Sequence, residues 1–151
     1  MIELRPVAPD DEEFLCELYH STRGDEVAAF GWPAGEQKAF LTMQFTMQQN
    51  AYKMQYPDAE HSVILCDGVP SGQMMVNRSA DELLLTDISV LPEFRHRGIA
   101  SQLLRQLQTQ AAAIVLSVDK QNAAARRLYE KHGFTTTGEN ELMFTMRWER
   151  Q

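Results

Sequence analysis

The sequence is poor in cysteine, in long apolar runs and in positive charge. Cys16 and Cys66 are its only cysteines in 151 residues. Two are too few for a disulfide framework or a ligand quartet, so a reducing compartment is expected. No apolar run approaches the roughly 20 residues that a bilayer span requires. Met1–Arg5 lacks the basic-then-apolar start of a signal peptide. These absences predict a cytoplasmic chain with no membrane partner. A formal net charge of -7 argues against nucleic acid as the main partner. His20, His61, His96 and His132 are scattered, with no pair at metal-ligand spacing on one helix face, so no metal is expected. Repeats, low-complexity tracts and linkers are missing too. One domain over residues 1–151, as a monomer or homodimer, is the resulting expectation.

What charge there is has an uneven distribution. Between Arg95 and Lys131 lie seven of the 14 Lys+Arg and only two of the 21 acids, so that stretch carries +5 and the remainder -12. A basic segment in an acidic protein suggests an anionic ligand on that segment. The acidic remainder suits a cationic co-substrate.

The apolar periodicity gives an order of elements. Ile2–Arg5 alternates as a strand, and Pro9 followed by four acids opens a helix whose apolar face is Phe14, Leu15, Leu18 and Tyr19. Residues 24–34, with Gly24, Gly31, Pro33, Phe30 and Trp32, read as a loop. A long helix follows over about residues 35–56, with Phe40, Met43, Met47, Ala51 and Met54 spaced for one face and the methionines taken as core. Three strands come next, around Val63–Leu65, Met74–Val76 and Leu83–Val90, the first two joined at the Asp67-Gly68 turn. A helix over about Gly98–Gln110, a strand over Ala113–Val118, a helix over Asn122–His132 closed by Gly133, and a hairpin over Phe134–Trp148 complete the chain. This order predicts a mixed α/β (α+β) layer fold, about seven strands in a curved sheet flanked by four helices.

Two segments carry chemistry. In Leu91–Ser101 a strand ends, a loop turns and a helix begins at Gly98. Free N–H groups at a helix start attract phosphate, Gly98 allows close backbone approach, and Arg95 and Arg97 add charged donors. A glycine-containing turn with solvated arginines also fits. In Asn122–Phe134, Asn122 suits an N-cap. Tyr129, seven residues on, returns to nearly the same helix face, roughly 10 Å away. A cofactor arm beside the helix would meet both; a tyrosine with a buried ring and wet hydroxyl is the alternative.

Arg95-x-x-Gly98-x-Ala100 resembles the R/Q-x-x-G-x-G/A signature of the GNAT (N-acetyltransferase) superfamily. Asp87–Pro92 looks like that family's strand leading into the signature. Asn122 to Phe134 is similar to its N-x-x-A-x-x-L-Y-x-x-x-G-F segment. The resemblance is specific over about residues 83–135 and looser elsewhere. It implies a mostly antiparallel sheet whose central strands splay to admit acetyl-CoA as co-substrate. The pyrophosphate would lie on Arg95, His96, Arg97, Gly98, Ile99, Ala100 and Ser101, and the pantetheine arm along Ile88, Ser89 and Val90 as an added strand. Asn122 and Arg126 would complete the cofactor site, and Tyr129 would be the general acid for the departing thiolate.

The implied reaction is direct attack of a primary amine on the thioester, which requires a base. Many family members carry it four or six residues before the valine matched by Val90, where this chain has Thr86 and Leu84. Asp87 is the nearest carboxylate, although strand alternation points it to the other face from Thr86. Water, Glu139 or Glu141 are alternatives. The acceptor is expected between Phe30 and Trp32 on one side and Glu139 and Glu141 on the other, unless these are packing aromatics and solvated acids. Without an obvious base, a catalytically silent CoA-binding sensor remains a second reading.

Overall fold

A computed structural model describes all 151 residues. Seven strands form a single sheet in the order β1-β2-β3-β4-β5-β7-β6. They are β1 (Ile2–Pro6), β2 (Glu60–Cys66), β3 (Val69–Arg78), β4 (Glu82–Val90), β5 (Ala113–Asp119), β6 (Thr135–Glu139) and β7 (Met143–Glu149). All neighbours are antiparallel except β4 and β5. Four helices flank it: α1 (Glu12–Ala28), α2 (Ala34–Gln55), α3 (Ile99–Gln108) and α4 (Ala123–Lys131). The expected mixed α/β class, strand number and helix number are all found. No helix is long and apolar enough to cross a membrane.

The sheet has a core on each face. Met74, Val76, Leu83, Leu85, Ile114, Leu116 and Met146 pack with Ile99, Leu103, Leu104 and Leu107 of α3 and with Tyr129 of α4. Outside that cluster, Leu15, Leu18, Leu41, Phe45, Val63 and Met75 are buried where α1 and α2 cover the sheet. The Asp67-Gly68 turn is formed as expected, with φ of 51° and 83° giving the two left-handed positions that a tight hairpin needs.

Two expectations are corrected. First, α1 runs on to Ala28, so Gly24, Asp25 and Glu26 are helical and the connection shrinks to Ala29–Pro33. An interior glycine costs a helix about 1 kcal/mol, which burial of Val27 just beyond it offsets. Second, the methionine stripe of α2 is not core. Met43, Met47 and Met54 are exposed, while Leu41 and Phe45 are buried and Gln48 and Tyr52 are half-buried. Both sets repeat at helical spacing, and the one carrying the branched and aromatic side chains faces the sheet.

Candidate active site

The site begins where β4 and β5 part. They pair only over Glu82–Leu85 and Ala113–Leu116. Beyond that, β4 stays with β3 as far as Val90 and β5 stays with β7 as far as Asp119. Each strand thus follows its other neighbour, and the edge of Thr86–Val90 turned toward β5 is left without a strand partner. An extended ligand can pair with such an edge.

The loop after β4 holds an anion-binding shape. His96 and Gly98 both have positive φ, 64° and 76°. A Cβ on Gly98 would meet nothing within 4 Å, so the space beside it is open. Alternating left-handed residues turn successive N–H groups toward one concavity, and α3 starts there with no acid in its first turn. The arginines brace this loop. Arg95 Nε donates to the Val90 carbonyl at 3.1 Å, and Arg97 donates to the Glu93 carbonyl at 3.1 Å while lying over the Phe94 ring. Neither has an acidic partner, so both charges stay near the concavity. Leu91 N–H donates to the Ser71 carbonyl at 2.8 Å, tying the loop to β3. Within α3, Ser101 Oγ lies 3.1 Å from His132 Nε2.

On the far side of the cleft, Asn122 caps α4: its Oδ1 accepts from Ala125 N–H at 3.1 Å, which leaves its Nδ2 free to donate elsewhere. Arg126 lies with its guanidinium carbon 4.1 Å from the Phe144 ring centre, and its buried Nε has no hydrogen-bond partner. Tyr129 is buried, its ring 5.7 Å from that of Phe134. Burial, helped by the charge of Asp87, pushes its hydroxyl up to about 12, so it stays protonated.

Asp87 does not follow simple alternation. Leu85 faces Val76 and Asp87 faces Met75, so Thr86 is an extra residue in β4. This bulge resets the pleat. Leu83 and Leu85 point into the α3 core, whereas Asp87 turns to the opposite face with Met75, under α1 and α2. There Gln73 Nε2 donates to Asp87 Oδ2 at 2.8 Å. Burial raises the Asp87 carboxyl to about 6, against a pull downward from Arg23 of α1 and the Ile88 amide. Tyr52 of α2 is pushed up to about 12 by burial and by Asp87. A carboxylate poised near neutrality beside a protonated tyrosine is an acid–base pair with separated affinities.

Arg23, Tyr52, Gln73 and His61 also gather around Asp87, a grouping not legible in the sequence. Only Gln73 left a signal, as a polar residue on the same strand side as Met75. The expected acceptor residues divide. Phe30 and Trp32, exposed just after α1, form an aromatic cluster with half-buried Phe40 of α2, with centroids 5.1 Å (Phe30–Trp32) and 5.3 Å (Trp32–Phe40) apart. Glu139 is engaged by Lys120 at 2.6 Å, which holds its carboxyl below the usual range, while exposed Glu141 has no ion pair. None of the four lines the cavity of about 740 Å³ beneath α2, which is bordered by Tyr52, Tyr56, Lys53, His61 and Met75.

A splayed parallel pair beside an open helix start has the shape to accept an extended, phosphate-bearing ligand. The chain matches the model of the Acetyltransferase (GNAT) family over residues 15–134, and it belongs to that family. Among solved structures it resembles the PaiA N-acetyltransferase of Thermoplasma acidophilum in complex with coenzyme A. Their identity is 19%, with 99% of each chain covered and a TM-score of 0.73. It is also similar to PH1933 of Pyrococcus horikoshii OT3, with 19% identity, 100% of this chain and 99% of that one covered, and a TM-score of 0.72. The ribosomal-protein-S18-alanine N-acetyltransferase of Escherichia coli shares 21% identity over 99% of this chain and 94% of its own, with a TM-score of 0.63. No curated protein matches the chain.

Proposed function

We propose that residues 1–151 act as one N-acetyltransferase unit, moving the acetyl group of acetyl-CoA to a primary amine of a small molecule or peptide. The observation that carries this reading is the parting of β4 and β5 beyond Leu85 and Leu116, beside the open concavity at His96–Gly98, with the Asp87 carboxylate held by Gln73 on the same stretch of β4. The complex of the Thermoplasma relative with coenzyme A supports the donor.

In this reading the pyrophosphate lies on the N–H groups of Arg95–Ser101, and pantetheine follows the free edge of Ile88–Val90. Asn122 Nδ2 and Arg126 face the arm from α4. The amine enters past Phe30 and Trp32, with exposed Glu141 drawing a cation toward the cleft while Glu139 is held by Lys120. Asp87 accepts a proton from the ammonium, which has no lone pair until it does so. The amine nitrogen then bonds to the thioester carbon, and the carbon–sulfur bond breaks as the tetrahedral intermediate collapses. Tyr129 gives its proton to the departing sulfur, and the proton that the nitrogen sheds as the amide forms returns to the Tyr129 oxygen, so the thiol leaves neutral and the tyrosine is restored. No group on the protein is acylated, and Cys16 and Cys66 lie outside the cleft segments.

A base at the cleft also favours turnover over a silent sensor. Incubation with acetyl-CoA and a panel of amines, following free thiol, tests the proposal. Amine-dependent thiol release that is lost in Asp87→Asn is expected. Binding of CoA with no release from any amine would favour the sensor.

A further inference from the structure

Three adjacent strands carry a diagonal line of polar side chains across the face beneath α1 and α2. His61 on β2 faces Met75 on β3, which in turn faces Asp87 on β4. Two residues before Met75, the side chain of Gln73 reaches both ways. Its Oε1 lies 2.7 Å from His61 Nε2, and its Nε2 lies 2.8 Å from Asp87 Oδ2 and 3.4 Å from Ser89 Oγ. Gln73 is 5% exposed, so water does not compete for these bonds.

The chemistry of the groups fixes the sense of the chain. An ionised carboxylate only accepts, so the amide must turn its NH₂ toward Asp87. Its oxygen then faces His61, whose Nε2 must carry a hydrogen. A flipped amide would set two acceptors against each other on the Asp87 side. We propose that Gln73 is a positioning residue for the acetyl transfer: it fixes the orientation of the Asp87 carboxylate, and His61, through Nε2–H, fixes which way the Gln73 amide faces. This inference rests on the reading of Asp87 as base.

Other groups act on the same line. Arg23 from α1 and the Ile88 amide favour ionised Asp87, burial opposes it, and Tyr52 of α2 and Tyr129 of α4 are neutral neighbours. At the other end, His61 borders the cavity with Tyr52 and Tyr56, and its charge acts on Asp11. The Ile88 amide is the one other hydrogen-bond donor among them, so losing Gln73 removes the side-chain donor and weakens the ionised form of Asp87 without leaving it bare.

The test is a carboxyl carbon NMR titration of Asp87 in the ligand-free protein, assigned with Asp87→Asn and paired with the pH dependence of kcat/KM. In Gln73→Leu the Asp87 midpoint should rise by about one unit or more, as expected for losing a hydrogen bond to a charged group. The acid limb of kcat/KM should move with it. Gln73→Glu keeps the shape and polarity of the site in case the leucine variant folds poorly. By placing a second carboxyl beside the first, it should push one midpoint higher still. His61→Leu should raise the midpoint by less, and should add nothing in the Gln73→Leu background. An Asp87 titration that is unmoved in both Gln73 variants, or a His61 effect that persists in full without Gln73, would overturn the inference. A midpoint that moves while the kinetic limb stays put would instead contradict Asp87 as the base, leaving the hydrogen-bonded line intact.

Discussion

Asp87 sits across the sheet from Met75, one residue out of step with Leu85 opposite Val76. That single offset turns a carboxylate off the α3 face and onto the face beneath α1 and α2, where Gln73 donates to it. A base must be ionised to act, so kcat/KM should rise as pH rises through about 6. Asp87→Asn should lower turnover by about 10²–10⁴-fold and abolish that limb. A pH–rate profile of both proteins checks this.

Tyr129 stands on the opposite bank of the cleft, protonated throughout the neutral range. Thiolate is already a tolerable leaving group, so its contribution should fall at the low end for acid catalysis. We expect Tyr129→Phe to cut kcat by about a hundredfold, with CoA affinity almost unchanged. Steady-state kinetics beside calorimetry separate the two effects, and an unaltered kcat would remove Tyr129 from the mechanism.

Gly72 lies opposite Val90 on the strand that carries the proposed pantetheine edge. A Cβ at this position would collide with the Ser89 carbonyl oxygen and come within 3.1 Å of Val90 Cα. Backbone cannot swing aside as a side chain can. Gly72→Ala should therefore cost about 1–3 kcal/mol of stability and weaken CoA by displacing Ile88–Val90. Urea unfolding and calorimetry would show both losses together.

Arg5 holds Asp11 with two hydrogen bonds, at 2.7 and 2.8 Å, and the Ala8 amide donates a third. Arg5 and that amide lower the Asp11 carboxyl to about 2. A depressed folded-state pKa gives stability that is present above the ordinary carboxylate range and lost as pH falls through about 2. Asp11→Asn should be less stable than the parent at pH 5, and the gap should close toward pH 2. Denaturant melts across that window test it.

Much of the architecture could be read along the chain, because β2, β3, α3 and α4 have clear periods and are punctuated by Asp67-Gly68, Gly98 and Gly133. The two motifs located the anion loop and the α4 face. Three features escaped for physical reasons. A bulge leaves no compositional trace, so alternation misplaced Asp87. Helical spacing cannot choose between Met43-Met47 and Leu41-Phe45 when both repeat alike, and only packing against the sheet decides. Arg23, Tyr52 and Gln73 converge on Asp87 from three elements distant in sequence, and no local pattern announces such a meeting.

Acetyl-CoA binding depends most on the concavity at His96–Gly98 accepting a diphosphate. Titration calorimetry of the folded protein with coenzyme A addresses it directly. The prediction is saturable one-to-one binding, abolished by Gly98→Glu, which places bulk and negative charge in that concavity. No heat from the parent protein at millimolar coenzyme A would contradict it.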